Sequence, residues 1–212
     1  MKQNEQELQF LKDEINLMWK LVISQVEKSK QALLTGNVER AEEVISLEKR
    51  VDALDLKMDS LCEHYIVLYS PVAIDLRLAL SIMKISVTLE RISDYAAGIA
   101  RYVADGDCTD FFSQSKDPLE IESMFDTVLA MLADSLVAFN SEHVRYAGKI
   151  LAKDKKVNGS YRNAFPILYD RLKQEPLKIN CGLNMILILQ KIERIGDHCS
   201  NIVEEIAFYT EA

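Results

Sequence analysis

The chain has 212 residues, of which 49% are hydrophobic and 27% are charged, a composition typical of a globular protein. Its formal net charge of −8 provides no basic surface for unspecific binding to nucleic acid, so we expect no nucleic-acid partner. Only 7 glycines and 4 prolines are present, and this scarcity favours long helices over sheets.

Six long helical patterns follow one another along the chain, separated by short turns. In the first half, apolar residues recur at helical spacing and predict helices at residues 5–34, 38–69 and 72–104. The breaks between them contain Gly36, Pro71 and Gly106, which are residues that end helices. Long helices joined by short turns are typical of antiparallel bundles.

The second half of the chain begins with residues 106–117, which are predicted to form a linker. Asp117 is predicted to cap the fourth helix and Pro118 to occupy its first turn, and this helix is expected to end near Asn140. Because proline removes a backbone donor, we expect Pro166 to kink or break the next helix. The fifth and sixth helices are predicted at residues 142–173 and 176–209.

The two halves resemble each other in sequence. Val38, Ala41, Glu48 and Val51 match Val144, Ala147, Asp154 and Val157 at one constant offset. Glu90, Arg91, Ile92 and Asp94 match Glu193, Arg194, Ile195 and Asp197 at a slightly shorter one. The sequence therefore predicts an all-α fold, a tandem repeat of two three-helix bundles: residues 1–105 form the first, 106–117 the linker and 118–212 the second.

Pairs of carboxylates lie four residues apart on the second and third predicted helices. Glu48 and Asp52 share one face of the second helix. Glu90 and Asp94 share one face of the third. Counted from the turn between the helices, both pairs stand at nearly equal height, so we expect all four at one seam. Because like charges at a seam repel, such a cluster needs a compensating cation.

The second half predicts a related cluster at matching positions: Asp154, Asn158, Glu193 and Asp197. The amide oxygen of Asn158 carries no charge, so this cluster is predicted to bind a cation less tightly. Oxygen ligands select hard ions such as Mg²⁺, Ca²⁺, Mn²⁺ or Fe³⁺, and carboxylates also bind Zn²⁺. The other interpretation is that both acidic faces are solvated and paired with nearby basic side chains, without any metal.

No functional role is predicted for Arg91, Arg194 and His198, which lie beside the acidic pairs. Arg91 and Arg194 recur in the two halves and are expected to pair with carboxylates inside the bundle. His198 is interpreted as a surface or capping histidine, since its counterpart in the first half is Tyr95.

Signatures of catalysis are absent from the sequence. Its glycines form no GxGxxG or GxxxxGK[ST] phosphate loop and no GxSxG elbow. A ferritin-like di-iron enzyme needs Glu-x-x-His on two helices, but no glutamate stands three residues before His64, His143 or His198. We therefore expect no enzymatic activity and predict no catalytic residue. The alternative is a metal-dependent hydrolase or phosphatase that uses the acidic clusters.

The compartment is predicted from the start of the chain and from its cysteines. The start is polar and lacks the apolar core of a signal peptide. The most apolar stretch, residues 183–189, is too short to cross a bilayer. The four cysteines show neither CxxC spacing nor the rhythm of a disulfide scaffold, which indicates a reducing compartment, the cytoplasm.

Four segments resemble the PhoU family of phosphate-uptake regulators. They are VDAL at residues 51–54, PVAIDLR at 71–77, LERISD at 89–94 and IERIGDH at 192–198. Their order and spacing follow the family pattern over nearly the whole chain, including its twice-used LERIGDH motif. The chain departs from this pattern at Ser93 and Tyr95, where glycine and histidine are usual, and at Asn158.

The resemblance implies a tandem of three-helix bundles that hold metal clusters, of iron most often and sometimes of zinc, with manganese or magnesium as further possibilities. The ligand positions it implies are Glu48, Asp52, Glu90, Asp94, Asp154, Glu193 and Asp197, with Asn158 at the eighth position. It also implies a cytoplasmic homodimer that represses the phosphate-starvation response. In that role the chain would link the ATPase of the phosphate ABC importer to a sensor histidine kinase, and would reach the membrane through these partners only.

Overall fold

A computed structural model of the protein describes residues 3–143 and 146–210, and within these ranges it contains helices and no strand. In chain order the helices are α1 (Gln3–Thr35), α2 (Val38–Tyr69), α3 (Ile74–Ala104), the short α4 (Thr109–Ser115), α5 (Ile121–Ser141), α6 (Ala147–Gln174) and α7 (Ile179–Thr210), with a 3₁₀ turn at Pro176–Lys178. The predicted all-α fold, with three long helices in each of two repeats, is confirmed. None of the helices in the described ranges combines the length and the apolarity needed to cross a membrane.

The two repeats pack against each other through equivalent helices that run in opposite directions. Along the contact between α3 and α7, Lys84 pairs with Glu205 near one end. The rings of Tyr95 and His198, which are equivalent residues of the two repeats, stack farther along with 5.5 Å between their centroids. Since residue numbers rise on α3 while they fall on α7, an approximate two-fold axis relates the repeats and passes near this pair of rings.

The same symmetry governs the contact between α1 and α5. The indole Nε1 of Trp19 donates a hydrogen bond of 3.2 Å to the carbonyl oxygen of Leu132. Its ring also packs against Phe139 with 5.7 Å between centroids. Trp19 is fully buried, and one continuous hydrophobic core runs through both repeats. The repeats are therefore joined by their cores and not only by the connecting chain.

Three predicted helix starts are displaced, and a residue with positive φ lies at each of them. α3 begins at residue 74 rather than 72, α5 at 121 rather than 118, and α6 at 147 rather than 142. Ala73, Glu120 and Glu142 have φ values of 52°, 53° and 53°. Such values interrupt a right-handed helix, and they are uncommon enough outside glycine that sequence patterns do not reveal them.

The predicted roles of Asp117 and Pro118 at the start of the fourth long helix are therefore wrong. Turns occupy residues 116–120, and the helix α4 lies within residues 106–117, which were predicted as a linker. The division at 105 and 118 stays a prediction. Val144, one of the residues that match between the repeats, lies outside the described residues.

Pro166 does not break α6, so the break that was predicted as one outcome is wrong; a kink there stays a prediction. α6 continues from Ala147 to Gln174 through this residue. Pro166 is exposed, while Ala164 and Leu168 on either side of it are buried. The packing of this apolar face against the core offsets the lost backbone hydrogen bond.

The cysteines also differ from the expectation, because Cys108 and Cys181 form a disulfide. These residues are separated by 73 positions, and their Cα atoms lie 5.5 Å apart because α4 packs on the start of α7. A tertiary contact of this kind leaves no local spacing in the sequence. The other two cysteines, Cys62 and Cys199, are buried free thiols.

Candidate functional site

Acidic side chains from α2 and α3 meet along the seam between these two helices. Carboxylate oxygens of Asp52, Glu90 and Asp94 lie within 4.8 Å of one another. Asp52 comes from α2, and the other two stand one turn apart on α3. The structure thus brings together three of the four side chains that were predicted to form the first cluster.

Apolar residues beside the acids fix the rotation of each helix about its axis. Val51 directly precedes Asp52, and Leu89 directly precedes Glu90; both apolar side chains are fully buried. Successive residues on an α-helix are turned by about 100° from each other. Burial of Val51 and Leu89 therefore directs the adjoining carboxylates to the edge of the packed face, where the two helices meet.

Glu48, the fourth predicted member, lies at the border of this group. Arg101 donates a hydrogen bond from Nη2 to Oε2 of Glu48. Burial raises the pKa of Asp94, and a hydrogen bond with Glu48 raises it further. Sequence reasoning did not identify Arg101, although it stands two helical turns after Asp94 on the same face of α3.

The carboxyl group of Glu90 has a strongly raised pKa. Burial is the main cause that raises its pKa to about 7, and repulsion from Asp94, Asp55 and Asp52 adds to it. The adjoining guanidinium of Arg91 lowers this pKa only in part. The cluster therefore has more negative charge than its basic neighbours neutralise.

Asp55 is a further acidic residue of this seam that sequence reasoning missed. Burial raises its pKa, and the hydroxyl of Ser86 offsets part of this rise through a hydrogen bond of 2.7 Å to Oδ1. Its position three residues after Asp52, on the same face of α2, was an available signal. With Asp55 the acidic stripe extends along α2 beyond the predicted pair.

One oxygen atom of Asp52 has an unusual environment. Oδ1 of this residue is buried and has no hydrogen-bond partner among the described residues. A buried oxygen without a partner is costly, and a carboxylate oxygen more so. A hard cation would bind this oxygen and remove the repulsion around Glu90. The donor set of oxygens alone thus fits the iron, manganese, magnesium or zinc ion that the family resemblance implies.

The three carboxylates of the second predicted cluster, Asp154, Glu193 and Asp197, influence one another across the seam between α6 and α7, and Asn158 joins Asp154 on α6. Asn158 donates a hydrogen bond of 3.1 Å from Nδ2 to Oδ2 of Asp154. Burial raises the pKa of Asp154 and of Glu193, and in both cases the nearby charge of Asp197 raises it further. Oδ1 of Asp154 and Oδ1 of Asn158 are both buried without a partner among the residues described.

The second cluster is nevertheless less acidic than the first. In the part of the chain that the structure describes, three acidic ligand groups come within 4.8 Å of one another only in the first repeat. Tyr161 is the residue of the second repeat that matches Asp55 of the first repeat. Burial raises the pKa of its phenol and the charge of Glu193 raises it further, so this position supplies no negative charge at neutral pH.

His198 lies between the two clusters, next to the approximate two-fold axis. It is buried and stacks on Tyr95, so its interpretation as a surface or capping histidine is wrong. Burial lowers its pKa, and the charge of Arg91 lowers it further. Arg194 lies 3.8 Å from a carboxylate oxygen of Asp197, so it pairs with a carboxylate as expected, but on the exposed surface of α7 and not inside the bundle.

Known proteins resemble the chain in sequence and in fold. A PhoU domain matches residues 15–103 and again residues 121–206. The phosphate-specific transport system accessory protein PhoU of Escherichia coli is 31% identical over 207 residues, which cover 97% of this chain and 84% of that protein. The crystal structure of PhoU from Pseudomonas aeruginosa has a TM-score of 0.89 at 28% identity and covers 99% of both chains.

A second solved structure agrees with the first. The phosphate transport system regulatory protein PhoU from Streptococcus pneumoniae has a TM-score of 0.86 at 27% identity, with 98% of this chain and 96% of that chain covered. These names are those of accessory and regulatory proteins and not of enzymes, as was predicted for this chain.

Replacing Glu90 with glutamine is expected to stabilise the metal-free protein above neutral pH. The pKa of Glu90 is about 7 in the folded protein against 4.5 as its ordinary value, so the folded state binds more protons between these pH values. The wild-type protein therefore loses stability as pH rises from about 4.5 to about 7, and E90Q removes this loss. We expect a gain of about 1 kcal/mol at pH 8, a small figure because solvent screens this partly exposed group.

Urea unfolding at pH 5 and pH 8 in the presence of a chelator measures this effect. Glu204→Gln on the exposed side of α7 is the matched control, because it removes the same charge where no cluster lies. Equal changes in the free energy of unfolding for E90Q and E204Q at pH 8 would contradict the electrostatic account of the seam.

Proposed function

Because the chain belongs to the PhoU family, we propose that it is an accessory protein of phosphate-specific transport that represses the phosphate-starvation response. The observation that carries this proposal is the match of a PhoU domain to both repeats, at residues 15–103 and 121–206. The names of its relatives as accessory and regulatory proteins support it. In this proposal the chain acts through contacts with other proteins and catalyses no reaction.

The proposed partners are the ATPase of the phosphate ABC importer and its sensor histidine kinase, which a homodimer of this chain contacts from the cytoplasm. Exposed apolar side chains at the turn between α2 and α3 support a protein partner. Val67, Leu68 and Val72 are exposed to 76%, 70% and 76%. Exposed apolar side chains that lie together often mark interaction sites. The net charge of −8 favours a basic partner surface and an association that weakens with salt.

In the same proposal the first acidic cluster holds a metal ion, with iron as the first candidate and zinc, manganese or magnesium as the others. Asp52, Glu90 and Asp94 provide its oxygen ligands, and Glu48 lies beside them. The close spacing of these carboxylates, the raised pKa of Glu90 and the buried, unpaired Oδ1 of Asp52 support this assignment. When bound, the metal supplies the positive charge that lets α2 and α3 stay packed with their carboxylates ionised.

The second cluster of Asp154, Asn158, Glu193 and Asp197 is proposed as a weaker site. It presents three carboxylates, and its fourth oxygen belongs to the uncharged amide of Asn158. Buried, unpaired oxygens of Asp154 and Asn158 support a ligand role for both residues. Because affinity for hard cations grows with the number of charged ligands, we expect this cluster to lose its metal first.

A metal-dependent phosphatase is the second candidate function, and the pKa of Glu90 is the observation that favours it. A carboxyl group with a pKa of about 7 is suited to general base catalysis at neutral pH. The same value also follows from burial and from repulsion in a metal-free cluster, so it does not require a catalytic role. A cavity of about 630 Å³ between α5 and α6 is lined by residues of neither cluster. Hydrolysis of a phosphate ester by metal-loaded protein, lost in D94N, would favour the enzyme.

The double variant Glu90→Gln/Asp94→Asn is expected to bind metal in the first cluster roughly tenfold more weakly or worse, because two charged ligands are lost. The helical content is expected to stay at the wild-type level, since the carboxylates lie outside the core. Elemental analysis of the purified protein, with circular dichroism as the check on folding, measures both outcomes.

Asn158→Asp is the opposite change in the second cluster, and we expect it to increase the metal retained there. Wild-type metal content in both variants would contradict the assignment of the ligands. Wild-type protein that binds none of the candidate metals would favour the metal-free scaffold.

Deletion of the gene is expected to derepress phosphate-starvation genes in phosphate-rich medium, because the link between importer and kinase is lost. A transcript measurement in the deletion strain, with the wild-type gene restored as control, tests this. Affinity capture of the chain is expected to recover the importer ATPase or the sensor kinase, with less recovery at higher salt. Normal repression in the deletion strain would refute the regulatory proposal.

A further inference from the structure

The disulfide between Cys108 and Cys181 joins the segment between the two repeats to the last helix of the second repeat. Cys108 precedes α4, which follows the last helix of the first repeat, and Cys181 lies in the first turn of α7. The disulfide has no counterpart under the repeat symmetry. Within the described residues, the other end of the molecule has no disulfide. The bridge therefore ties the connecting segment to the second repeat, at one end of the molecule only.

Noncovalent contacts also hold α4, so that the bridge is not its sole attachment. Phe111 and Phe112 of this helix are buried. The guanidinium of Arg171 lies 4.0 Å from the centre of the Phe111 ring and donates a hydrogen bond of 2.6 Å from Nη1 to Oγ of Ser115. These contacts hold the C-terminal part of α4, while the disulfide holds its start. Opening the bridge would thus release one end of α4 and leave the other in place.

We propose that the Cys108–Cys181 pair is a redox modification site that a low-molecular-weight thiol and its disulfide open and close. This inference rests on the cytoplasmic location given under the proposed function. Disulfides in the reducing cytosol of ordinary organisms are usually transient, catalytic or redox-sensing, and stable structural bridges are rare there. The fold places the two cysteines where a disulfide can form. In a chain that works in the cytoplasm, this arrangement therefore indicates a disulfide that opens and closes reversibly.

Closure of the bridge proceeds by two exchange steps with a low-molecular-weight disulfide as the oxidant. The Cys181 thiolate attacks one sulfur of that disulfide, forms a mixed disulfide and releases one small thiolate. The Cys108 thiolate then attacks the Cys181 sulfur, forms the protein disulfide and releases the second small thiolate. Two electrons pass from the protein to the small disulfide, and the two released thiolates take up the two protons that the cysteines lost.

The position of Cys181 suits it for the first attack. It lies in the first turn of α7, a helix of 32 residues, where unpaired backbone N–H groups and the helix dipole stabilise a thiolate. Cys181 is 8% exposed and Cys108 is 6% exposed. A small thiol therefore reaches the pair after a slight opening of α4, whereas a large protein does not.

The two remaining cysteines provide internal controls. Cys62 and Cys199 are buried and unpaired. Burial raises the pKa of the Cys62 thiol to about 12 and raises that of Cys199 as well. Because the thiolate is the reactive form, both are expected to remain thiols under conditions that close the bridge.

The state of the bridge is expected to set the mobility of the surface around it. Thr109, next to Cys108, packs on Gly36 in the turn between α1 and α2, where an added Cβ would lie 2.7 Å from Cγ2 of Thr109. On the other side, Leu177 is 97% exposed four residues before Cys181. The closed bridge thus fixes the segment that contacts Gly36 of the first repeat to the start of α7, near the exposed Leu177.

The test equilibrates the wild-type protein with mixtures of reduced and oxidised glutathione over a wide range of ratios. After acid quenching, alkylation in denaturant and peptide mass spectrometry count the thiols at each cysteine. We expect Cys108 and Cys181 to change together from thiols to the bridge within this range, while Cys62 and Cys199 are alkylated at every ratio. A bridge that stays closed in excess reduced glutathione, or thiols that stay open in excess oxidised glutathione, would overturn the proposal.

Two single variants test the order of attack on the folded protein. In Cys108→Ser the first step occurs without the second, so a mixed disulfide with glutathione is expected to accumulate on Cys181. In Cys181→Ser, Cys108 is expected to form its mixed disulfide several-fold more slowly, because it lacks the N-terminal turn of a long helix. Equal rates in the two variants would contradict the assignment of Cys181 as the first nucleophile.

Hydrogen exchange of the wild-type protein reports the conformational effect and needs no variant. We expect amides of residues 105–110, around the start of α4, to exchange at least several-fold faster after reduction, and the melting temperature to fall by about 5 to 15 °C. Unchanged exchange in this segment would overturn the release of α4. These readouts use purified protein, so they are independent of the outcome in the deletion strain, which tests the proposed function.

Discussion

Repulsion among the carboxylates of α2 and α3 is the interaction on which the candidate site depends. Asp52, Glu90 and Asp94 lie close together because their neighbours Val51 and Leu89 are fully buried and prevent the helices from turning away. Burial, and then repulsion from the neighbouring carboxylates, raise the pKa of Glu90 to about 7. Protonation or a bound cation relieves this repulsion, and at neutral pH a cation does so more completely. The packing of the core thus holds the carboxylates where a bound cation would be favourable.

The approximate two-fold relation between the repeats places a related cluster at the second seam with a different charge. Asn158 and Tyr161 stand where the first repeat has Asp52 and Asp55, so two negative charges are missing there. The helices α3 and α7, which carry half of each cluster, also form the contact between the repeats around Tyr95. A cation in either cluster therefore acts on a helix that belongs to the joint core of the molecule.

Local sequence patterns predicted the features that depend on periodicity, and they missed those that depend on tertiary contact. The bounds of α2 and the shared seam of Asp52 and Glu90 follow from apolar spacing and from residue counts along straight helices. The positive φ of Ala73 does not follow from such patterns. The continuation of α6 through Pro166 and the pairing of Cys108 with Cys181 do not follow from them either, because packing against elements distant in the sequence decides both. Asp55 and Arg101 lie one and two helical turns after predicted acidic residues, so they were visible in the sequence and were overlooked.

Anomalous diffraction from crystals grown with iron or manganese tests the central claim most directly. The account predicts an anomalous peak at the first seam, within coordination distance of carboxylate oxygens of Asp52, Glu90 and Asp94, and a weaker peak or none at the seam of Asp154. The contrary result is a crystal that shows no peak at either seam at saturating metal, with the carboxylates of α2 and α3 paired to basic side chains. That outcome would mean that the acidic seam is neutralised by the protein itself and that the carboxylates are not metal ligands.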